Sequence, residues 1–192
     1  MPGWTGRADV NTGDVIAATD HNIQIDNEEY LYANSKLLIA ETVVGAAVTT
    51  VTFASLTAYE FFELEMATYN PTGGAITLKI HINGDTTSAN YDTQTICFIA
   101  ATSYSAHLDE TAYWNISNGV VGSGNATIRN TRTAASTFGK PMIVLSDGDT
   151  AGGFAQSAYA TYQTAGQISS ITLTASAASA IGIGSRFRLW GK

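Results

Sequence analysis

From Thr42 onward the apolar residues of this chain fall two apart. Ile76, Leu78, Ile80 and Ile82 alternate with Thr77, Lys79, His81 and Asn83. A period of two sends successive side chains to opposite faces of a strand, one face apolar and the other polar. Phe62, Leu64 and Met66 alternate with Phe61, Glu63 and Glu65 in the same way, and Val51 and Phe53 share a face. Further strands are predicted near 94–101, 112–117, 125–133, 141–146, 154–163 and 168–175, with a last one over Arg186-Phe-Arg-Leu-Trp190. Asn70-Pro-Thr-Gly-Gly74 and Asn83-Gly-Asp85 supply turn chemistry. Short strands punctuated by Gly and Asn, without βαβ alternation, predict a mainly β protein: an antiparallel β-sandwich or jelly roll.

Residues 20–40 break this pattern and predict one helix. Thr19 or Asp20 can cap it. Asp20, Asp26, Glu28 and Glu29 lie toward its start and Lys36 toward its end, as the helix dipole favours. Ile23, Tyr30 and Leu37 recur every seven residues, with Leu31 and Leu38 alongside, and Asn27 and Asn34 follow the first two by four. Two readings stay open. The stripe is a short oligomer seam whose asparagines set the register, or the helix lies against its own β-body. Residues 1–18 hold Pro2, Gly3, Gly6 and Gly13, which disfavour a helix, and Trp4 offers one large apolar anchor. The chain therefore divides into an arm and helix over 1–41, for docking or oligomerisation, and a β-sandwich domain over 42–192.

Composition narrows the function classes. Only 13% of the 192 residues are charged, against roughly 25% in an average globular chain. Polarity comes instead from 26 Thr and 15 Ser. Such strands have little charge to resist edge-to-edge pairing. The net charge is −7, and residues 1–41 hold seven acids against two bases. An acidic chain without a basic stripe does not suit nucleic acid. Arg186 and Arg188 share one strand face, which predicts a solvated or ion-paired surface. The uncharged stretches 42–59 and 166–185 are full of Thr, Ser and Gly and lack the continuous apolar run of a spanning helix. Met1-Pro-Gly-Trp-Thr-Gly-Arg7 lacks the apolar segment of a signal peptide. Cys97, the single cysteine, sits in an apolar run and reads as a small buried hydrophobe.

No residue set predicts catalysis, a cofactor or a metal. His21, His81 and His107 have no partner at a zinc-motif spacing, and His81 takes an outward strand position. Gly122-Ser-Gly124 reads as a flexible loop, and Gly182-Ile-Gly184 lacks the third glycine of a dinucleotide loop. Ser146-Asp-Gly-Asp149 and Asn83-Gly-Asp85 hold oxygen ligands suited to calcium but are more simply turns. Among Glu60, Glu63 and Glu65, alternation sends Glu63 and Glu65 outward as solvating residues rather than as a glycosidase pair. Tyr104, Tyr113, Trp114, Tyr159 and Tyr162 are the remaining binding candidates, able to stack on sugars, to sit in an interface or to pack in the core. The expectation is a non-enzymatic protein that binds or assembles.

Three segments resemble virion proteins of tailed bacteriophages. His81-Ile-Asn-Gly-Asp-Thr-Thr-Ser-Ala-Asn-Tyr91 is similar to their "fNGD…NY" segment. Gly184-Ser-Arg-Phe-Arg-Leu-Trp-Gly191 is similar to their closing "GS…LYG" strand, with Trp190 in place of the usual Tyr. Thr12-Gly-Asp-Val-Ile-Ala-Ala-Thr-Asp-His-Asn22 resembles a "TGDVIT…HN" segment that precedes a helix. The serine- and arginine-rich middle of the fuller pattern is missing. The resemblance implies a jelly-roll-like structural protein of the virion, often trimeric, that decorates or cements the capsid. The alternative is a tail-fibre or receptor-binding module that recognises host-surface glycan. Expected partners are copies of itself, the major capsid protein or tail proteins, with no nucleic acid and no membrane. No functional residue carries over, because the matched segments read as framework. Trp4, Ile23, Asn27, Tyr30, Asn34 and Leu37 are the expected docking or oligomer residues.

Overall fold

A computed structural model describes residues 27–28, 35–99, 102–108, 111–117, 119–129, 140–149, 154–164 and 166–192. The chain forms two compact units, residues 1–37 with Lys192, and residues 38–191. The second is an antiparallel β-sandwich. Its strands are β1 (Leu37–Val43), β2 (Thr50–Ala54), β3 (Phe61–Tyr69), β4 (Ile76–Ile82), β5 (Tyr91–Ile99) and β6 (Thr102–Leu108). They continue with β7 (Tyr113–Ile116), β8 (Val121–Arg129), β9 (Lys140–Asp149), β10 (Phe154–Tyr162), β11 (Ser170–Ala175) and β12 (Arg186–Gly191). Eight strands form one sheet in the order β1-β12-β3-β8-β9-β10-β5-β6, and four form the other in the order β2-β11-β4-β7.

The alternation seen in the sequence is the alternation that builds the core. Phe62, Leu64 and Met66 of β3 and Phe187 and Leu189 of β12 point inward from the large sheet. Val51, Phe53, Ile171, Leu173, Ile80 and Ile82 are buried on the small one, with Phe53, Ile171 and Ile82 in one cross-strand row. Register is set strongly here, because a one-residue slip would turn each apolar set toward water.

Trp114 of β7 is the largest fully buried side chain. Room for it comes from β8, where inward positions are small. A Cβ at Gly124 would run into the Trp114 indole, and one at Gly122 would lie 3.0 Å from Ile116 Cγ1. Gly122-Ser-Gly124 is therefore strand, not the flexible loop expected of it. Its glycines are the seats of β7 side chains. Ser146-Asp-Gly-Asp149 likewise lies inside β9 and is no turn.

Two strands differ from the sequence reading. The predicted helix over 20–40 cannot reach its expected end, since β1 starts at Leu37. Ile39, Thr42 and Val43 are β-branched and suit an extended chain, and pairing beside β12 overrides the heptad spacing of Leu37. The second is β6, which the sequence reading left out although Tyr104, Ala106 and Leu108 alternate with Ser103, Ser105 and His107. Of the expected helix, Asn27 and Glu28 are described and are helical.

Candidate functional site

The densest polar constellation is the corner after β4. Asn83 and Gly84 both take left-handed backbone, at φ 56° and 69°, the geometry of a tight primed turn. Asn83 reaches across to the segment before β11. Its Oδ1 accepts from Ser169 N (2.7 Å), Ser169 Oγ (3.0 Å) and Ser170 N (3.2 Å), while Nδ2 donates to Gln167 O (2.9 Å). Asp85 then collects Thr87 N on Oδ1 (2.9 Å), with Asn90 Nδ2 (2.7 Å) and Tyr162 Oη (3.1 Å) on Oδ2. Tyr91, first residue of β5, is buried. Its hydroxyl donates to Asp85 O at 2.7 Å and accepts from Ile82 N at 3.0 Å. The Tyr91 and Tyr162 rings lie 5.0 Å apart.

This geometry decides what the groups can do. The Thr87 N–H and then Asn90 hold the Asp85 carboxyl below the usual carboxylate range, so it is a fixed acceptor rather than a proton donor. Burial pushes the Tyr91 phenol well above its ordinary value. His81 is buried at 7% exposure, with Nδ1 3.1 Å from Thr174 Oγ1 and its ring edge-on to Tyr91. Burial, aided by Lys79, lowers its pKa and keeps it neutral. The expectation of a surface histidine is corrected: strand alternation gives the face, and the Tyr91 ring then lies against that face. The corner ties β4, β5, β10 and β11 together.

A second cluster lies on the outer face of β1, β12 and β3. Glu41 Oε1 accepts from Arg186 Nε and from Arg188 Nε (3.1 Å), and Arg188 lies 3.9 Å from Glu65 Oε2. Arg186 first and then Arg188 hold the Glu41 carboxyl below its ordinary range. The two arginines, Glu65, Met66 and Ala67 line a shallow depression. This is the ion-paired face expected of Arg186 and Arg188.

Over β10 and β5 the outer face carries a single acid, Asp92, paired with Thr161. Ile96 and Tyr159 are 47% and 48% exposed. Tyr159 pairs with Gln94 and Ser157 with Ile96, so the tyrosine and isoleucine are diagonal cross-strand neighbours on one face. Tyr69 and Val121, directly opposed on β3 and β8, are also exposed.

Of the docking residues expected from sequence, Trp4, Ile23, Tyr30 and Asn34 lie outside the described residues. Asn27 is buried, and Leu37 opens β1, half-buried. The aromatic candidates separate. Trp114 and Tyr162 are core residues, Tyr113 is half-buried, and Tyr159 is exposed. Tyr104 and His107 lie in β6, and His21 lies outside the described residues. Sequence reasoning missed Ile96 as a surface residue, because the run Thr95-Ile-Cys-Phe-Ile99 reads as wholly buried. The β-strand alternation, with Thr93 and Thr95 inward, was the available signal. Among the described residues no three His, Cys, Asp or Glu side chains gather in a metal-ligating group. None of the described helices is long and apolar enough to cross a membrane. No protein family, curated protein or solved structure matches this chain.

Proposed function

We propose that this chain is a non-enzymatic structural protein of a bacteriophage particle, a capsid decoration or cement protein that works as a homo-oligomer, with three copies as the expected state. The observation that carries this reading is Ile96 beside Tyr159, half-exposed apolar side chains that are diagonal cross-strand neighbours on the outer face of the large sheet. Exposed apolar area on a sheet face suits lateral contact between proteins. Two further features support it. Strands β2, β6 and β7 carry no Asp, Glu, Lys or Arg, and the single acid of β1, Glu41, is held by two arginines. The segments that resemble phage proteins also make sense as framework. The "NGD…NY" residues close the β4–β5 corner, and the terminal segment forms β12, between β1 and β3.

A tail-fibre or receptor-binding role is the second reading, favoured by the exposed ring of Tyr159, which can stack on a sugar. Purified particles separate the two. Antibody labelling in electron micrographs should cover the shell at high copy number, with the major capsid protein as neighbour. Label confined to the tail would favour the second reading. Label on no particle, together with a stable monomer by light scattering, would overturn both.

A further inference from the structure

We propose that Asn83 is a modification site, an asparagine that deamidates only when the β4–β5 corner opens, and whose conversion then unfastens β4 from β11. Asn-Gly is the sequence most open to this chemistry, because glycine places no side chain in the way of the attacking nitrogen. The Gly84 backbone nitrogen, giving up its proton, bonds to Asn83 Cγ. The Cγ–Nδ2 bond breaks and ammonia leaves. Water then opens the resulting cyclic imide at either carbonyl, which yields aspartate or, with one extra backbone carbon in the turn, isoaspartate. No oxidant or enzyme is needed.

The structure separates the two reacting groups. Gly84 is exposed, and among the described residues its amide has no acceptor. The nucleophile is therefore available. The electrophile is not. The Asn83 carboxamide is turned across the gap between strands, where Oδ1 takes three hydrogen bonds and Nδ2 donates a fourth to Gln167 O. The Asn83 backbone adds a bond, N to Ser170 O at 2.9 Å. To meet Gly84 N, the carboxamide must leave Ser169, Ser170 and Gln167 together. The segment 167–170 is thus the gate.

The same contacts set the consequence. Conversion replaces the Nδ2 donor by a carboxylate oxygen that faces the Gln167 carbonyl, acceptor against acceptor. Isoaspartate also lengthens a turn whose two left-handed residues are placed for Asp85 to receive Thr87, Asn90 and Tyr162.

The test incubates folded protein and urea-unfolded protein side by side at the same mildly alkaline pH and counts, by mass spectrometry of digests, converted peptides that contain Asn83. The folded protein should convert at least about tenfold more slowly, the factor that corresponds to roughly one net hydrogen bond. Ser169→Ala, which removes one of the four side-chain bonds, should convert faster than the wild type while folded. Asn83→Asp should lower the urea midpoint of the fold. Equal rates in folded and unfolded protein would overturn the gating. An Asn83→Asp protein as stable as the wild type would overturn the unfastening.

Discussion

Replacing Tyr91 by Phe tests whether the corner is a structural lock. The substitution keeps the ring against Tyr162 and His81 and removes only the hydroxyl. Two hydrogen bonds go, each worth about 1 kcal/mol net. The Asp85 carbonyl, next to a part-exposed residue, can take water instead. The Ile82 N–H cannot, because Ile82 is fully buried, and an orphaned buried donor costs about 1–3 kcal/mol. The expected loss is therefore about 2–4 kcal/mol. With a urea slope of about 2 kcal/mol per M, the unfolding midpoint falls by about 1–2 M. Tyr162→Phe is the control. It removes a longer, part-buried bond to Asp85 Oδ2, which keeps Asn90, and should cost about 1 kcal/mol or less. Equilibrium urea unfolding followed by tryptophan fluorescence reads both. Equal losses from the two variants, or a Tyr91→Phe loss below about 1 kcal/mol, would refute the lock.

Gly124→Ala should destabilise by about 1–3 kcal/mol through overpacking against Trp114, seen as a lower Tm and an altered near-UV spectrum. An unchanged Tm would show that the Trp114 seat is slack. The fold favours neutral His81 and ionised Asp85, so stability contributed by both is present at neutral pH. It should fall as pH drops below about 6.5, the unfolded histidine value. His81→Gln should flatten the first part of that fall in a urea-midpoint series. Buried Tyr91 works at the other end. Its raised pKa means stability is whole below about pH 10 and declines above it, as the unfolded phenol ionises first, and Tyr91→Phe should shrink that alkaline limb to the part left by Tyr162, whose phenol burial also raises. Glu41→Gln should weaken the fold slightly at low salt and not at high salt, since the ion pairs it breaks are surface-exposed and screened. A loss that persists at high salt would assign Glu41 a packing role.

What was legible in the sequence follows one physical divide. The strands β3, β4, β11 and β12 bury one face and expose the other, and that contrast is written as alternation. Strand β6 alternates Tyr104, Ala106 and Leu108 with Ser103, Ser105 and His107, but with only two large apolar residues the contrast is weak beside that of β4. Strand β1 shows the limit of local spacing. Leu37 stands seven residues after Tyr30, yet the chain there is extended beside β12. The glycines of β8 show it again. Gly122 and Gly124 look like a loop because the reason for them, the indole of Trp114, lies in another strand. His81 fails for the same cause. Its strand face was legible, but the Tyr91 ring that helps cover it comes from β5.

The corner also explains why a short sequence pattern can be legible in a chain whose partners are not. Asn83, Asp85, Asn90 and Tyr91 spend their polar atoms inside the fold, on Gln167, Ser169, Ser170, Thr87 and Ile82. Residues used this way are constrained by geometry, and the same short pattern suits any β-sandwich that closes a corner so. Partner choice rests on a different set. Ile96 and Tyr159 face outward on the large sheet, as do Tyr69 and Val121, and none of the four lies within the phage-like segments. A structural protein that keeps the corner can change those faces freely. The framework therefore carries the fold and not the choice of partner, and the outward residues of β3, β8, β5 and β10 are where variants should separate the proposed shell role from the tail role. Ile96→Asp and Tyr159→Asp should leave the urea midpoint near the wild type, because neither side chain is in the core, while they weaken self-association or particle binding. A loss of stability as large as that of Tyr91→Phe would return both residues to the core and remove the observation on which the proposed role rests.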